Sequence, residues 1–393
     1  MKSCGSNAAM SQSASHPGVP AVCAAATLSL AVAMGVGRFA FTPMLPLMLR
    51  DGSLAIGASP WLAGVNYLGY LVGALTAGRL PITPARLVLL SLGGIVASTA
   101  GMGMVSGLPG WLLLRGGAGI LSGWALVGTS TWALYHLAQL GRPRLAGVVY
   151  AGVGSGIALT GAFCLLEAGP GALSAGLWRQ LALLALVILV LPVALLRGAP
   201  AVSRPATARA GVVGGDLRLL ILCYGVFGFG YILPATYLPA LARQVVDDPR
   251  LFGLVWPVFG TAAAASTVLA GTSWVQQNRL RAWSMCHLLM ALGALLPSLT
   301  LAPWALGLSA LLIGATFMVI TMLGMQEARA RAPDRAPQVL AQMTAAFALG
   351  QLTGPLAVVF GPGTALTPAL RVAAAVLVAT AAVLSRLARN ERT

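Results

Sequence analysis

Arg38 is the one charge inside the apolar stretch MGVGRFAFTPMLPLMLR, residues 34–50, which ends at Arg50. A guanidinium at membrane depth costs about 2.5–3.5 kcal/mol on insertion scales, so it must turn inward and find a partner. Its planar fork matches carboxylate or phosphate. No acidic residue shares that stretch, so the expected partner is a substrate anion, the alternative being a structural brace in which Arg38 is locked to helix-end carbonyls or aromatic faces. Arg115, in RGGAGILSG, begins a second such stretch, where its long side chain has room to snorkel. Glu327, in TMLGMQEAR, is the carboxylate closest to an apolar interior, beside Arg329 and Arg331. Polar and aromatic residues that could line a solute path are Phe41, Thr42, Asn66, Tyr67, Tyr70, Trp124, Tyr231, Tyr237 and Gln351.

Other chemistries find no support. The three His are scattered, the five Cys form no CxxC pair, and no HExxH occurs, so neither a metal site nor a cofactor is expected. Without a His, Asp or Glu cluster an enzyme is not expected. Lys2 is the sole lysine, so a GxxxxGK[ST] phosphate loop is excluded. The net charge of +16 sits in short clusters between apolar runs, unlike the concentrated patch of a nucleic-acid binder.

These residues need a scaffold, and composition defines it. Of 393 residues, 58% are hydrophobic and 8% charged, against about 25% charged in a soluble domain. The mean hydropathy is +0.87. A crossing helix needs about 20 apolar residues. Apolar runs at 21–48, 59–78, 85–107, 110–139, 145–167, 178–196, 218–242, 252–274, 282–300, 303–327, 338–360 and 366–387 give twelve candidates. They are too long and continuous for barrel strands. The first is too long for a signal-peptide core, so it reads as a retained helix. With the amino terminus inside, 17 basic residues fall in cytoplasmic segments and 5 opposite, and Arg38 and Arg115 lie within spans. That asymmetry fits the positive-inside rule with both termini cytoplasmic.

The chain also repeats. At an offset of 193, Gly35, Gly37, Leu45, Pro46 and Arg50 meet Gly228, Gly230, Leu238, Pro239 and Arg243. Gly152 and Gly156 answer Gly350 and Gly354 at an offset of 198. Small residues let helix backbones approach in lipid. The pairs Pro43/Pro46 and Pro234/Pro239 are expected to bend matching helices near their outer ends and suit a gate. Tyr231 is the repeat counterpart of Arg38. Residues 197–217, rich in Arg, Pro, Gly and Ala, read as a linker between bundles at 21–196 and 218–387, with tails at 1–20 and 388–393.

Twelve spans, paired halves and a basic mid-chain linker resemble the major facilitator superfamily over essentially the whole chain. Arg115 with Gly119 is similar to its fourth-helix arginine motif, and the resemblance implies a coupling or gating role for Arg115. The Gly152/Gly156 pair resembles its fifth-helix glycine motif, although Ile157 replaces the usual proline, which is present at Pro355. Ala77 stands where the family carries an aspartate after helix two. The segments GVGRFAFTPMLPLM and WLAGVNYLGYLVGAL are similar to the YbfB/YjiJ-type branch. The expected protein is therefore all-α and integral to the membrane, with twelve spans in two pseudo-symmetric six-helix bundles. It is a monomeric secondary transporter of the bacterial inner membrane, moving a small, anionic organic solute by alternating access. Protons are a candidate coupling partner, with Arg115, Glu327 and the four prolines as coupling or gating positions. A drug or metabolite:proton antiporter, or a non-transporting receptor or scaffold, stays open as an alternative.

Overall fold

The computed structural model describes residues 17–167, 169, 171–197, 215–245, 253–359 and 366–390. Helices dominate, and among the described residues no strand occurs. That follows from the sequence: in lipid every backbone N–H and C=O must be satisfied within its own segment. The long helices are α1 (Val19–Arg50), α2 (Ser59–Ala77), α3 (Pro84–Met102), α4 (Leu108–Gln139), α5 (Ala146–Glu167), α6 (Ser174–Arg197), α7 (Gly215–Val245), α8 (Val255–Leu269), α9 (Arg279–Leu299), α10 (Pro303–Arg331), α11 (Ala336–Val359) and α12 (Leu366–Asn390). A five-residue helix, Ser273–Gln277, joins α8 to α9. Among the described residues nine helices are long and apolar enough to cross a membrane. The other three candidate runs correspond to α2, α8 and α11. Helix α8 has 15 residues, or about 22 Å of rise, short of a full crossing. Helix α2 carries Asn66, Tyr67, Tyr70 and Thr76, which lower its hydropathy because it faces other helices.

The packing repeats. Helix α1 contacts α3, α4, α5 and α6, as α7 contacts α9, α10, α11 and α12. The pairs α2–α4, α3–α4 and α3–α6 answer α8–α10, α9–α10 and α9–α12. Cross contacts come in matched pairs too: α5 with α8 and α10, α11 with α2 and α4. Glycines permit the closest approaches. A methyl group on Gly35 would overlap the Cα and carbonyl carbon of Gly156. On Gly152 it would strike the Thr27 carbonyl, on Gly228 that of Phe347, and on Gly350 that of Gly225. Gly37 instead abuts Ser122 and Ile95, Gly230 abuts Leu377, and Gly354 abuts Ile232, all side chains.

Helix α1 departs from a simple rod. Residues Ala31–Phe39 form a π-helix, after which α-helix resumes at Phe41. In π register the carbonyl of Arg38 faces residue 43, a proline without an N–H. The sequence led us to expect a bend at Pro43 and Pro46; the departure is already present one turn earlier. Pro43 and Pro46 are half-buried in the resumed helix, and Pro234 is buried in α7. Residue 239 belongs to α7, but the side chains of Pro239 and Tyr237 lie outside the described residues.

One face collects basic helix ends. There Gln326 Nε2 donates to the Pro143 carbonyl (3.4 Å), and the Arg329 guanidinium lies 5.8 Å from the Tyr135 ring centre. Gly78 fits against Pro337, Gln338 and Ala341. The α5–α8 seam is made of small residues: Gly147 meets Thr267, Gly154 meets Gly260 and Ala264, and Gly161 meets Pro257.

Candidate functional site: a buried guanidinium in an aromatic cage

The π segment of α1 delivers Arg38 into the interior, where the residue is 3% exposed. Its Nη2 donates to Gln351 Oε1 on α11. Its Cζ sits over the Tyr70 ring of α2, 3.7 Å from the centroid, with Tyr67 at 5.4 Å and Phe39 at 5.7 Å. Buried cation–π contacts of this kind contribute about 2 kcal/mol. Tyr231 on α7 is a further electrostatic neighbour of Arg38. Its ring stacks on Phe317 of α10 at 5.0 Å and 17°. Phe39 makes edge contacts with Trp256 and Phe317, both at 6.3 Å, and so joins α1 to α8 and α10.

Polar atoms around this centre are not all matched. Among the described residues Arg38 Nε and Nη1, Gln351 Nε2, Tyr70 Oη and Tyr231 Oη have no hydrogen-bond partner. Each buried, unmatched group costs about 1–3 kcal/mol. Among the described residues no carboxylate lies within ion-pair distance of Arg38 or Arg115.

Arg115 does not snorkel. It is 4% exposed, and its Nη1 and Nη2 donate to the carbonyls of Gly37 and Arg38, both at 3.3 Å. The bond to the Arg38 carbonyl supplies the donor that Pro43 lacks. Phe41 lies against its guanidinium at 4.9 Å. Asn66 Nδ2 in turn donates to the Arg115 carbonyl at 2.9 Å. Arg115, Asn66 and Phe41 thus hold the segment that aims Arg38.

Other residues singled out in the sequence stand apart. Trp124 Nε1 donates to Thr76 Oγ1 at 2.8 Å, toward the basic face. Thr42 is half-buried on the resumed part of α1. Glu327 is bound through Oε1 to Arg279 Nε (2.5 Å) and through Oε2 to Arg331 Nε (3.2 Å). These groups border a polar recess of about 410 Å³ that also includes Gln276, Asn278 and Arg281. Among the described residues no His, Cys, Asp and Glu group could hold a metal ion. Phe39, Trp256 and Phe317 were not anticipated. Phe39 was signalled only by its place beside Arg38, and the other two by nothing local.

Long apolar helices packed in this repeating order around a buried polar centre are the architecture of a membrane transporter of the major facilitator type. The crystal structure of the human organic anion transporter MFSD10 (TETRAN) superposes with a TM-score of 0.73, covering 94% of this chain and 100% of that one at 16% identity, a likeness of fold. The family profile described as "Uncharacterised MFS-type transporter YbfB" matches residues 30–385, so the chain belongs to that family. No protein of curated function matches it.

Proposed function

We propose that this protein is a secondary transporter for a small organic monoanion, with Arg38 as the anion's counter-charge. The observation that carries the reading is a fully buried guanidinium with a neutral amide partner, no carboxylate among the described residues, and unmatched donors on four helices. Arg115 spends both Nη groups on backbone carbonyls. Among the described residues Arg38 is therefore the one cation at this centre with an unmatched Nη group, which favours one negative charge over two. The walls from Phe39, Tyr67, Tyr70, Tyr231 and Phe317 favour a solute with an apolar or aromatic body.

In this reading residues 21–196 and 218–387 are two six-helix bundles that rock around the Arg38 centre; of the 197–217 linker assigned from the sequence, residues 198–214 lie outside the described residues. The repeated helix pairings support it. The basic face is cytoplasmic, both termini lie there, and the membrane is the bacterial inner membrane; the arginine bias supports that orientation.

The test is uptake into proteoliposomes of benzoate, lactate, succinate, inorganic phosphate, glucose and tetraphenylphosphonium, for wild type and Arg38→Gln. Saturable uptake of monocarboxylates, lost in the variant, is the expected result. Transport of glucose or of the cation that Arg38→Gln leaves intact would overturn the reading.

A further inference from the structure

The charge arithmetic of the interior also says how the cycle runs. We infer that the transporter works by one-for-one anion exchange, and that its unloaded form reorients too slowly to support comparable net flux. This inference rests on the anion reading above.

Arg38 is a fixed positive charge in the middle of α1. The partners the protein gives it are an amide oxygen and aromatic faces, none with a full negative charge. The sequence has eight acidic residues. Of the described ones, Asp51 follows the last turn of α1, Glu167 ends α5, Asp216 begins α7, Glu327 is tied to two arginines near the end of α10, and Asp334 follows that helix. Asp247, Asp248 and Glu391 lie outside the described residues, in segments the sequence places between or beyond spans. None of the five described acids is positioned to follow Arg38 through the membrane. A bound monoanion makes the centre neutral, whereas its departure leaves a bare guanidinium.

Alternating access requires the centre to be shut off from both sides at some stage. The elements that shut it are in place. Phe39, Trp256 and Phe317 close together across α1, α8 and α10. Gln326–Pro143 and Arg329–Tyr135 join the helix ends at the basic face. Enclosing an uncompensated charge in such an interior is strongly disfavoured, while enclosing a matched pair is much less so. Water stabilises the unloaded site while it is open to one side, so that form waits there for the next anion. Proton coupling through a protein carboxyl group would need one beside Arg38, and the described residues supply none.

Labelled benzoate uptake at neutral pH tests this, with protein-free liposomes as background. One set of vesicles holds buffer and the other holds unlabelled benzoate. Preloading is expected to raise the initial rate at least about tenfold, equivalent to about 1.4 kcal/mol on the barrier. Benzenesulfonate, which carries no titratable proton, should show the same stimulation. Equal rates in the two sets overturn exchange and leave the anion reading intact. So does an acid-outside gradient that lifts uptake into buffer-filled vesicles to the exchange rate. Absence of uptake in both sets, together with no benzoate-induced rise in thermal stability, overturns the anion reading and exchange with it.

Discussion

Gln351→Glu probes the centre most directly. The change replaces one amide NH₂ by oxygen and keeps the shape, so the introduced carboxylate occupies the place from which Gln351 Oε1 accepts the Arg38 hydrogen bond. At a charge separation of about 4 Å and an effective dielectric near 20, the attraction is about 4 kcal/mol. A transported anion would have to compete with it. Desolvation of the new carboxylate offsets part of that gain, so we expect benzoate affinity to fall roughly 10²–10³-fold, at 1.36 kcal/mol per decade. Gln351→Ala is the control: it removes the partner without supplying charge and should weaken binding by about tenfold or less, the worth of one hydrogen bond. Isothermal titration in nanodiscs reads both. Binding by Gln351→Glu within about twofold of wild type would refute Arg38 as the anion's partner, because no rearrangement of a neutral site hides a fixed charge of that size.

Gly35→Ala should destabilise the α1–α5 contact by about 1–3 kcal/mol, since the added methyl would overlap Gly156 and lie 2.7 Å from its oxygen. Gly176→Ala, with nothing within 4 Å of the new methyl, should be neutral or stabilising, and thermal unfolding in detergent compares them. Arg115→Ala leaves the carbonyls of Gly37 and Arg38 without these donors; we expect a loss of about 1.5–3 kcal/mol and weaker benzoate binding, with partial rescue by Arg115→Lys. Glu327→Gln breaks ion pairs whose arginines are 30% and 21% exposed, so the loss should be at most about 1 kcal/mol and shrink in high salt. Benzoate flux should persist, and a collapse of flux would move the coupling group to Glu327. Burial of Asp51 opposes its charge, but hydrogen bonds from Ser174 and Ser53 outweigh this and hold its carboxyl below the usual range. Its contribution is therefore present above the unfolded value of about 3.9 and lost as pH falls through the lower folded value, so the stability gap between wild type and Asp51→Asn should close in acid.

Much of the scaffold was legible because lipid enforces it. A run of about 20 apolar residues has few alternatives to a helix, and the expected runs at 59–78 and 303–327 became Ser59–Ala77 and Pro303–Arg331. The burial of Arg38 was also legible, because an isolated charge in such a run has nowhere else to go. Its partner was not. Gln351 is 313 positions away, and nothing in the local pattern distinguishes it from a packing glutamine. The π segment was hidden for a related reason: its carbonyls are completed by Arg115, 77 and 78 positions downstream, so the cause lies across a tertiary contact. Local sequence showed Glu327 beside Arg329 and Arg331, and it is Arg279, 48 positions back, that completes the pair with Arg331.

The seam where Gly154, Gly161 and Gly260 press against the facing helix carries a consequence for mutability. Backbone there meets backbone or a proline ring, so even a single methyl has no room to be accommodated. The outward flank of α6, where Leu183, Leu186, Val187, Val190 and Leu191 point away from the protein, has no such neighbour. Apolar substitutions should thus give a lopsided map, almost silent along the flank of α6 and intolerant along the seam, where side-chain size alone decides, whereas charged residues on the lipid-facing flank should be rejected as well.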